Sequence, residues 1–174
     1  MAMITFQTNS VQTCGELPAI GSIAPSFSLA NIELENVTLE TYTGKYKILS
    51  IVPSLDTPTC AASARKFNQK AVNLENTVVL IVSADLPFSQ CRFCEIEGLH
   101  DVIALSTFRS TFATDYGVQI IDGALSGLTA RAIVIMDEQN KILYTQLVPE
   151  LAHEPDYESV FSALKSLFLS HQHL

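Results

Sequence analysis

Cys60 follows Thr57-Pro58-Thr59, and this short run sets out a possible nucleophile. The thiolate is the reactive form of cysteine, so what matters is whether the local chain favours negative charge on sulfur. If Thr57 caps a helix, Pro58 takes the first helical position, where its missing N–H costs least. Cys60 then lies in the first turn, facing amide dipoles that favour a thiolate, while burial among apolar groups would act the other way. Cys60, Ala64, Phe67, Ala71 and Leu74 also fall on one helical face, so position alone leaves open an inert core cysteine.

Three further cysteines stand at 14, 91 and 94. Cys91-Arg92-Phe93-Cys94 has the spacing of a redox pair, although no strand-to-helix junction immediately precedes it. The same spacing suits two zinc ligands, and a closed site needs two more. Cys14 reads as a buried spectator, with oxidation or a hairpin-linked disulfide as alternatives. His100, His153, His171 and His173 form no metal-ligand pattern, and the last two fall at a fraying terminus. The glycines show no phosphate-cradling spacing, so neither a cofactor nor a metal is expected.

The composition narrows the setting. A chain of 174 residues that is 48% hydrophobic can bury a sizeable core, and residues 1–174 are expected to form one domain. The stretch from Asp122 to Gly127 is too brief for an interdomain linker. A net charge of -8 without a dense Lys/Arg cluster argues against nucleic acid and anionic membranes as partners. No leader-like or membrane-spanning segment is evident, and a cytoplasmic location is expected.

The elements that must position these residues follow from periodicity. Ile4 to Phe6 and Val11 to Cys14 flank Thr8-Asn9-Ser10 as a hairpin, and Gly15 to Pro25 reads as a covering loop. Short strands are expected around Phe27 to Leu29 and Val37 to Leu39. A central strand from Lys47 to Val52 then feeds a loop and a helix reaching about Leu74. Val78 to Ser83 and Val102 to Leu105 read as strands, with a short or partial helix between Asp85 and Gly98. Phe108, Phe112 and Tyr116 predict a helix capped by Ser106 or Thr107 and ended by Gly117. Arg131 to Met136 and Ile142 to Val148 read as an antiparallel pair. A terminal helix carries Tyr157, Val160, Phe161, Leu164, Leu167 and Phe168, with Pro155 at its start. The order predicts an α/β fold, a mixed sheet covered on both faces by helices.

The run from Pro53 to Asn68, which contains Pro53-Ser54-Leu55-Asp56-Thr57-Pro58-Thr59-Cys60, resembles the peroxiredoxin active site. Taken with Asp85 to Cys94 and Ala130-Arg131-Ala132, it is similar to the bacterial thiol peroxidases, the atypical two-cysteine peroxiredoxins. The likeness runs from the hairpin through the terminal helix. It implies a thioredoxin-like fold with an N-terminal β-hairpin, hydrogen peroxide and organic hydroperoxides as substrates, thioredoxin as reductant, and a homodimer.

By the same resemblance Cys60 is the peroxidatic thiolate and Cys94 the resolving cysteine that closes an intramolecular disulfide. Thr57 orients the peroxide, Arg131 stabilises the thiolate and the developing oxyanion, and Pro53 shields one side of the thiol. The plainer readings are helix capping for Thr57 and a surface salt bridge for Arg131. Cys91 and Cys14 depart from the family pattern. Cys91 is read as a secondary thiol or, alternatively, half of a disulfide shuttle. Two rival functions stay open: a thiol-disulfide oxidoreductase using Cys91 and Cys94, and a stoichiometric peroxide sensor.

Overall fold

A strand buried along its whole length must be covered on both faces, and Tyr46–Ile51 and Ala132–Met136 meet that condition. The computed structural model describes residues 1–171. In chain order the strands and helices are β1 (Met3–Phe6), β2 (Asn9–Gln12), β3 (Ser28–Ala30), β4 (Asn36–Thr38), β5 (Tyr46–Ile51), α1 (Pro58–Ala71), β6 (Thr77–Ser83) and α2 (Pro87–Glu97). These are followed by β7 (Ile103–Ser106), α3 (Phe112–Asp115), β8 (Ala132–Met136), β9 (Ile142–Leu147) and α4 (Tyr157–His171). A single 3-10 turn, Leu39–Tyr42, follows β4.

Seven strands form one sheet in the order β4-β3-β7-β6-β5-β8-β9, while β1 and β2 pair separately as the N-terminal hairpin. The strands β5, β6 and β7 are parallel, because α1 and α2 supply the crossovers that parallel pairing requires. The flanking strands β3 and β8 run antiparallel to them. This is a thioredoxin-like mixed sheet. Period-2 alternation divides its apolar side chains between two layers. Leu49, Ile51, Leu80, Val82, Ala132 and Val134 join Phe27, Phe112 and the hairpin's Ile4 and Val11 on one face. Ile48, Val79, Ile81, Ile133 and Ile135 face α1 and α4 on the other, where Phe67 meets the rings of Tyr157 and Phe161 at 5.7 and 5.8 Å.

Several expected boundaries shift for identifiable reasons. The region between Asp85 and Gly98 is a full helix of 11 residues, opened by Pro87 and closed by Gly98 in the left-handed conformation. The helix carrying Cys60 ends at Ala71, and Asn73 and Leu74 continue only through tighter turns onto the Lys70 and Ala71 carbonyls. The helix predicted from Phe108 is confined to Phe112–Asp115. Thr107 instead extends the sheet by donating its N–H to the Ser83 carbonyl, which leaves Phe108 45% exposed. Gly117 does end α3: at φ 68° a side chain there would strike the Glu16 backbone. Pro155 lies just outside α4, whose first turn is capped by the Asp156 carboxylate on the Ser159 N–H and hydroxyl. His173 lies outside the described residues.

The hairpin turn is Gln7-Thr8, with both residues at positive φ (49° and 69°), rather than centred on Asn9. Such a turn ordinarily selects Asn or Gly, so these two residues are held in an unfavourable conformation. Glu150 compensates by accepting the Gln7 N–H at 3.1 Å and the Thr8 N–H at 3.5 Å. It also takes the Thr5 hydroxyl at 2.7 Å and the Ala152 N–H at 3.1 Å. These bonds, the Thr5 hydroxyl first, pull its pKa down to about 2. Because the folded value lies below the ordinary 4.5 of a glutamate, the attachment is complete above that pH and is lost as pH falls towards about 2. The Gln7 and Ala152 amide resonances are therefore expected to titrate with a midpoint near 2. A midpoint at the ordinary glutamate value would show that the clamp does not hold the turn.

Candidate active site

The site is built at the carboxyl end of β5, where the chain leaves the sheet and enters α1, the place where open α/β sheets present their ligand crevice. Thr57 is the N-cap of α1: its hydroxyl oxygen accepts the Cys60 N–H at 3.1 Å while its own proton is directed to the Ser54 carbonyl at 3.3 Å. Pro58 takes the first helical position. Cys60 lies in the first turn, fully buried, and that turn contains no acidic residue to oppose negative charge on sulfur.

Arg131 immediately precedes β8 and is 1% exposed, so the surface salt bridge is excluded. Its Nη2 donates to Cys60 Sγ at 3.3 Å and to the Leu151 carbonyl at 2.9 Å, and Nε donates to the same carbonyl at 3.1 Å. Nη1 is buried with no hydrogen-bond partner among the described residues. A guanidinium placed so favours anionic sulfur and keeps donors in reserve for an incoming oxygen. Beside it opens a cleft of about 210 Å³, walled by Phe6, Pro53, Leu125, Leu128 and Leu151 with Thr57 and Arg131 among its polar groups.

The loop from Pro53 to Thr57 owes its shape to Asp85, whose carboxylate accepts the Ser54 hydroxyl, the Leu55 N–H and the Ser83 hydroxyl, each at 2.7 Å. Ser83 in turn accepts from Gln90 Nε2 at 3.0 Å, so the loop before Cys60, the end of β6 and the start of α2 form one network. Thr129 ties the opposite wall to the strand end by donating to the Val52 carbonyl at 2.7 Å. Sequence reasoning missed Asp85, Thr129 and the Leu151 carbonyl. Only the position of Asp85, just past a strand end, could have suggested its part.

Cys94 lies on the last turns of α2, half-buried against the core layer that contains Cys60. All four cysteines are free thiols. Burial, and then the neighbouring Cys91, raises the Cys94 pKa, so at rest it is held as the neutral thiol. The Cys91 pKa is raised too, by desolvation and then by Glu95, whose carboxylate oxygen lies 3.7 Å from its sulfur. Cys14 is half-buried, not fully so, with its sulfur 3.8 Å from the Ala113 carbonyl oxygen. The structure thus gathers Pro53, Thr57, Cys60 and Arg131 in one place and sets Cys94 on the adjoining helix. Among the described residues no group of three or more His, Cys, Asp or Glu side chains is placed to hold a metal ion, and no helix is long and apolar enough to cross a membrane.

Known proteins share this fold and much of this sequence. Residues 19–161 match the Redoxin family model. Thiol peroxidases of Mycobacterium bovis and Mycobacterium tuberculosis are 48% identical over 164 residues, covering 94% of this chain and 99% of theirs. A crystal structure of a peroxiredoxin-like protein from Aquifex aeolicus superposes with a TM-score of 0.91 at 36% identity, covering 96% of this chain and 98% of that one. A thiol peroxidase from Chromobacterium violaceum, 23% identical, shares the fold with a TM-score of 0.90 over 97% of this chain and 98% of its own. A redoxin carrying this cysteine site, and alike to these enzymes along nearly its whole length, is a peroxide-reducing enzyme: the chain belongs to the thiol peroxidases, the atypical two-cysteine peroxiredoxins.

Proposed function

We propose that Cys60 is the thiolate that reduces hydrogen peroxide and organic hydroperoxides and that Cys94 resolves the product. The observation that carries this reading is the 3.3 Å hydrogen bond from Arg131 to Cys60 Sγ at the start of α1. The sulfur attacks one peroxide oxygen, the O–O bond breaks, and the departing oxygen takes a proton to leave as water or alcohol. Cys60 becomes a sulfenic acid. Arg131 supports charge on sulfur and then on the leaving oxygen, with its Nη1 as the uncommitted donor. Thr57, held between the Cys60 amide and the Ser54 carbonyl, turns its hydroxyl proton to the peroxide. Pro53 closes one side of the cleft.

Cys94 then attacks the sulfenic sulfur, hydroxide departs as water, and an intramolecular disulfide forms. For this α2 must loosen. Its buried residues are Pro87 and Gln90 alone, so the turns carrying Cys94 hold no fully buried side chain. A thioredoxin dithiol returns the two electrons. A cytoplasmic, homodimeric enzyme of one domain completes the proposal. Sedimentation of the reduced protein at concentrations above those of the assay is expected to give the dimer mass, and a monomer would remove that part.

Peroxide-dependent oxidation of reduced thioredoxin is expected to vanish in Cys60→Ser. Insulin reduction surviving that change would instead favour an oxidoreductase built on Cys91 and Cys94, and a single oxidation without recycling would favour a sensor. Peptide mapping after one equivalent of hydrogen peroxide is expected to give a Cys60–Cys94 link. Cys91→Ser keeps recycling, while Cys94→Ser stops it after the first reduction. A dominant Cys60–Cys91 link would reverse the assignment.

The apolar walls supplied by Phe6, Leu125 and Leu128 suit the carbon chain of an organic hydroperoxide. Leu128→Ala is expected to lower kcat/KM for cumene hydroperoxide by roughly tenfold while sparing hydrogen peroxide. Equal effects on the two substrates would show that the cleft does not hold the carbon chain.

A further inference from the structure

Arg131 can be aimed at Cys60 only if the carbonyl that receives two of its hydrogen bonds is itself fixed. That carbonyl belongs to Leu151, in the loop between β9 and α4. The loop has no helical or sheet ladder of its own at this point. It borrows order from β1, as Thr5 donates to the Pro149 carbonyl at 2.7 Å and its carbonyl accepts the Leu151 N–H at 2.9 Å. It also touches α1 beside the thiol, because the Thr59 hydroxyl donates to the Ala152 carbonyl at 3.0 Å.

Glu150 lies within this segment and faces outward onto the hairpin. One carboxylate oxygen takes the Gln7 and Ala152 N–H groups and the other the Thr5 hydroxyl, so it grips both the strained turn and the residue that follows Leu151. We infer that Glu150 is a positioning residue for peroxide reduction, acting by locking the hairpin to the 149–152 segment so that the Leu151 carbonyl holds Arg131 on Cys60. The inference rests on the reading of Cys60 and Arg131 as the reacting pair.

The alternative is that Glu150 only anchors the hairpin, and the molecule supplies a control. Asp122 also anchors it, accepting the Gln12 N–H at 2.7 Å at the far end of β2. Its hydrogen bond reaches neither Leu151 nor Arg131. The experiment compares Glu150→Gln, Glu150→Ala, Asp122→Ala and Arg131→Met by the pH profile of Cys60 alkylation with iodoacetamide, kcat/KM for hydrogen peroxide, and thermal melting. Glu150→Ala is expected to move the alkylation midpoint upward and to lower kcat/KM by roughly tenfold, the scale of one charge-assisted hydrogen bond. Glu150→Gln, which keeps one acceptor oxygen, falls between it and the unaltered enzyme. Asp122→Ala, which removes the acceptor, lowers the melting temperature without moving the profile.

A Glu150→Ala protein that melts earlier but alkylates with the unaltered profile overturns the inference. If that variant does not fold, Glu150→Gln decides on the same criterion. An active, unshifted Arg131→Met would instead bring down the reading of the reacting pair, and the inference with it. A slowed Arg131→Met beside an unaffected Glu150→Ala would remove only the role given to Glu150.

Discussion

A guanidinium with 1% exposure is the most demanding constraint in this molecule. Burying that charge without partners would cost several kcal/mol, so the chain must bring acceptors to it from distant parts of the sequence. It does so with the Leu151 carbonyl and the Cys60 sulfur, which lie 20 and 71 residues away. The sheet places Arg131 at the head of β8, beside the end of β5 where α1 begins. The hairpin is then more than an appendage, since the loop that supplies the carbonyl is bonded to β1. Polar satisfaction at one buried side chain thus links the N-terminus, the central strands and the approach to the last helix.

Much of the architecture was legible because local signals agreed with the tertiary result. Thr57, Pro58 and the apolar stripe through Phe67 marked both the start and the buried face of α1, and the apolar runs at β5, β6 and β8 marked strands, the first of them as central. The misjudged stretches are those where a nonlocal bond decided the local form. Phe108 has helical spacing with Phe112, yet Thr107 was claimed by the Ser83 carbonyl across the sheet. Gln7 and Thr8 carry no turn signature, and their conformation depends on a carboxylate at position 150. The candidate site divides in the same way. Its thiol and its cap follow from neighbouring residues, Arg131 came from the family likeness, and the backbone carbonyl that orients Arg131 has no side-chain identity for a sequence to display.

The two cysteines carried over from the family sit under opposite conditions. Cys60 has an arginine on its sulfur and amide dipoles behind it, whereas Cys94 is pushed by burial towards the neutral thiol. For the proposed cycle this difference orders events. The second thiol stays dormant against the core, and the loosening that carries it towards Cys60 also removes the burial that suppressed its ionisation. Movement and activation are then one step.

The network through Asp85 gives α2 an internal seam. Up to Gln90 the helix is part of the scaffold that shapes the loop before Cys60, through Gln90, Ser83 and Asp85. Beyond Gln90 it contributes no buried residue. Apart from Phe93 and Cys94, which lean on the core layer, the far half can change its side chains without disturbing the walls where peroxide would bind. Cys91 is a cysteine of just that kind: a second sulfur tolerated on the permissive half of a helix whose other half is committed to shape.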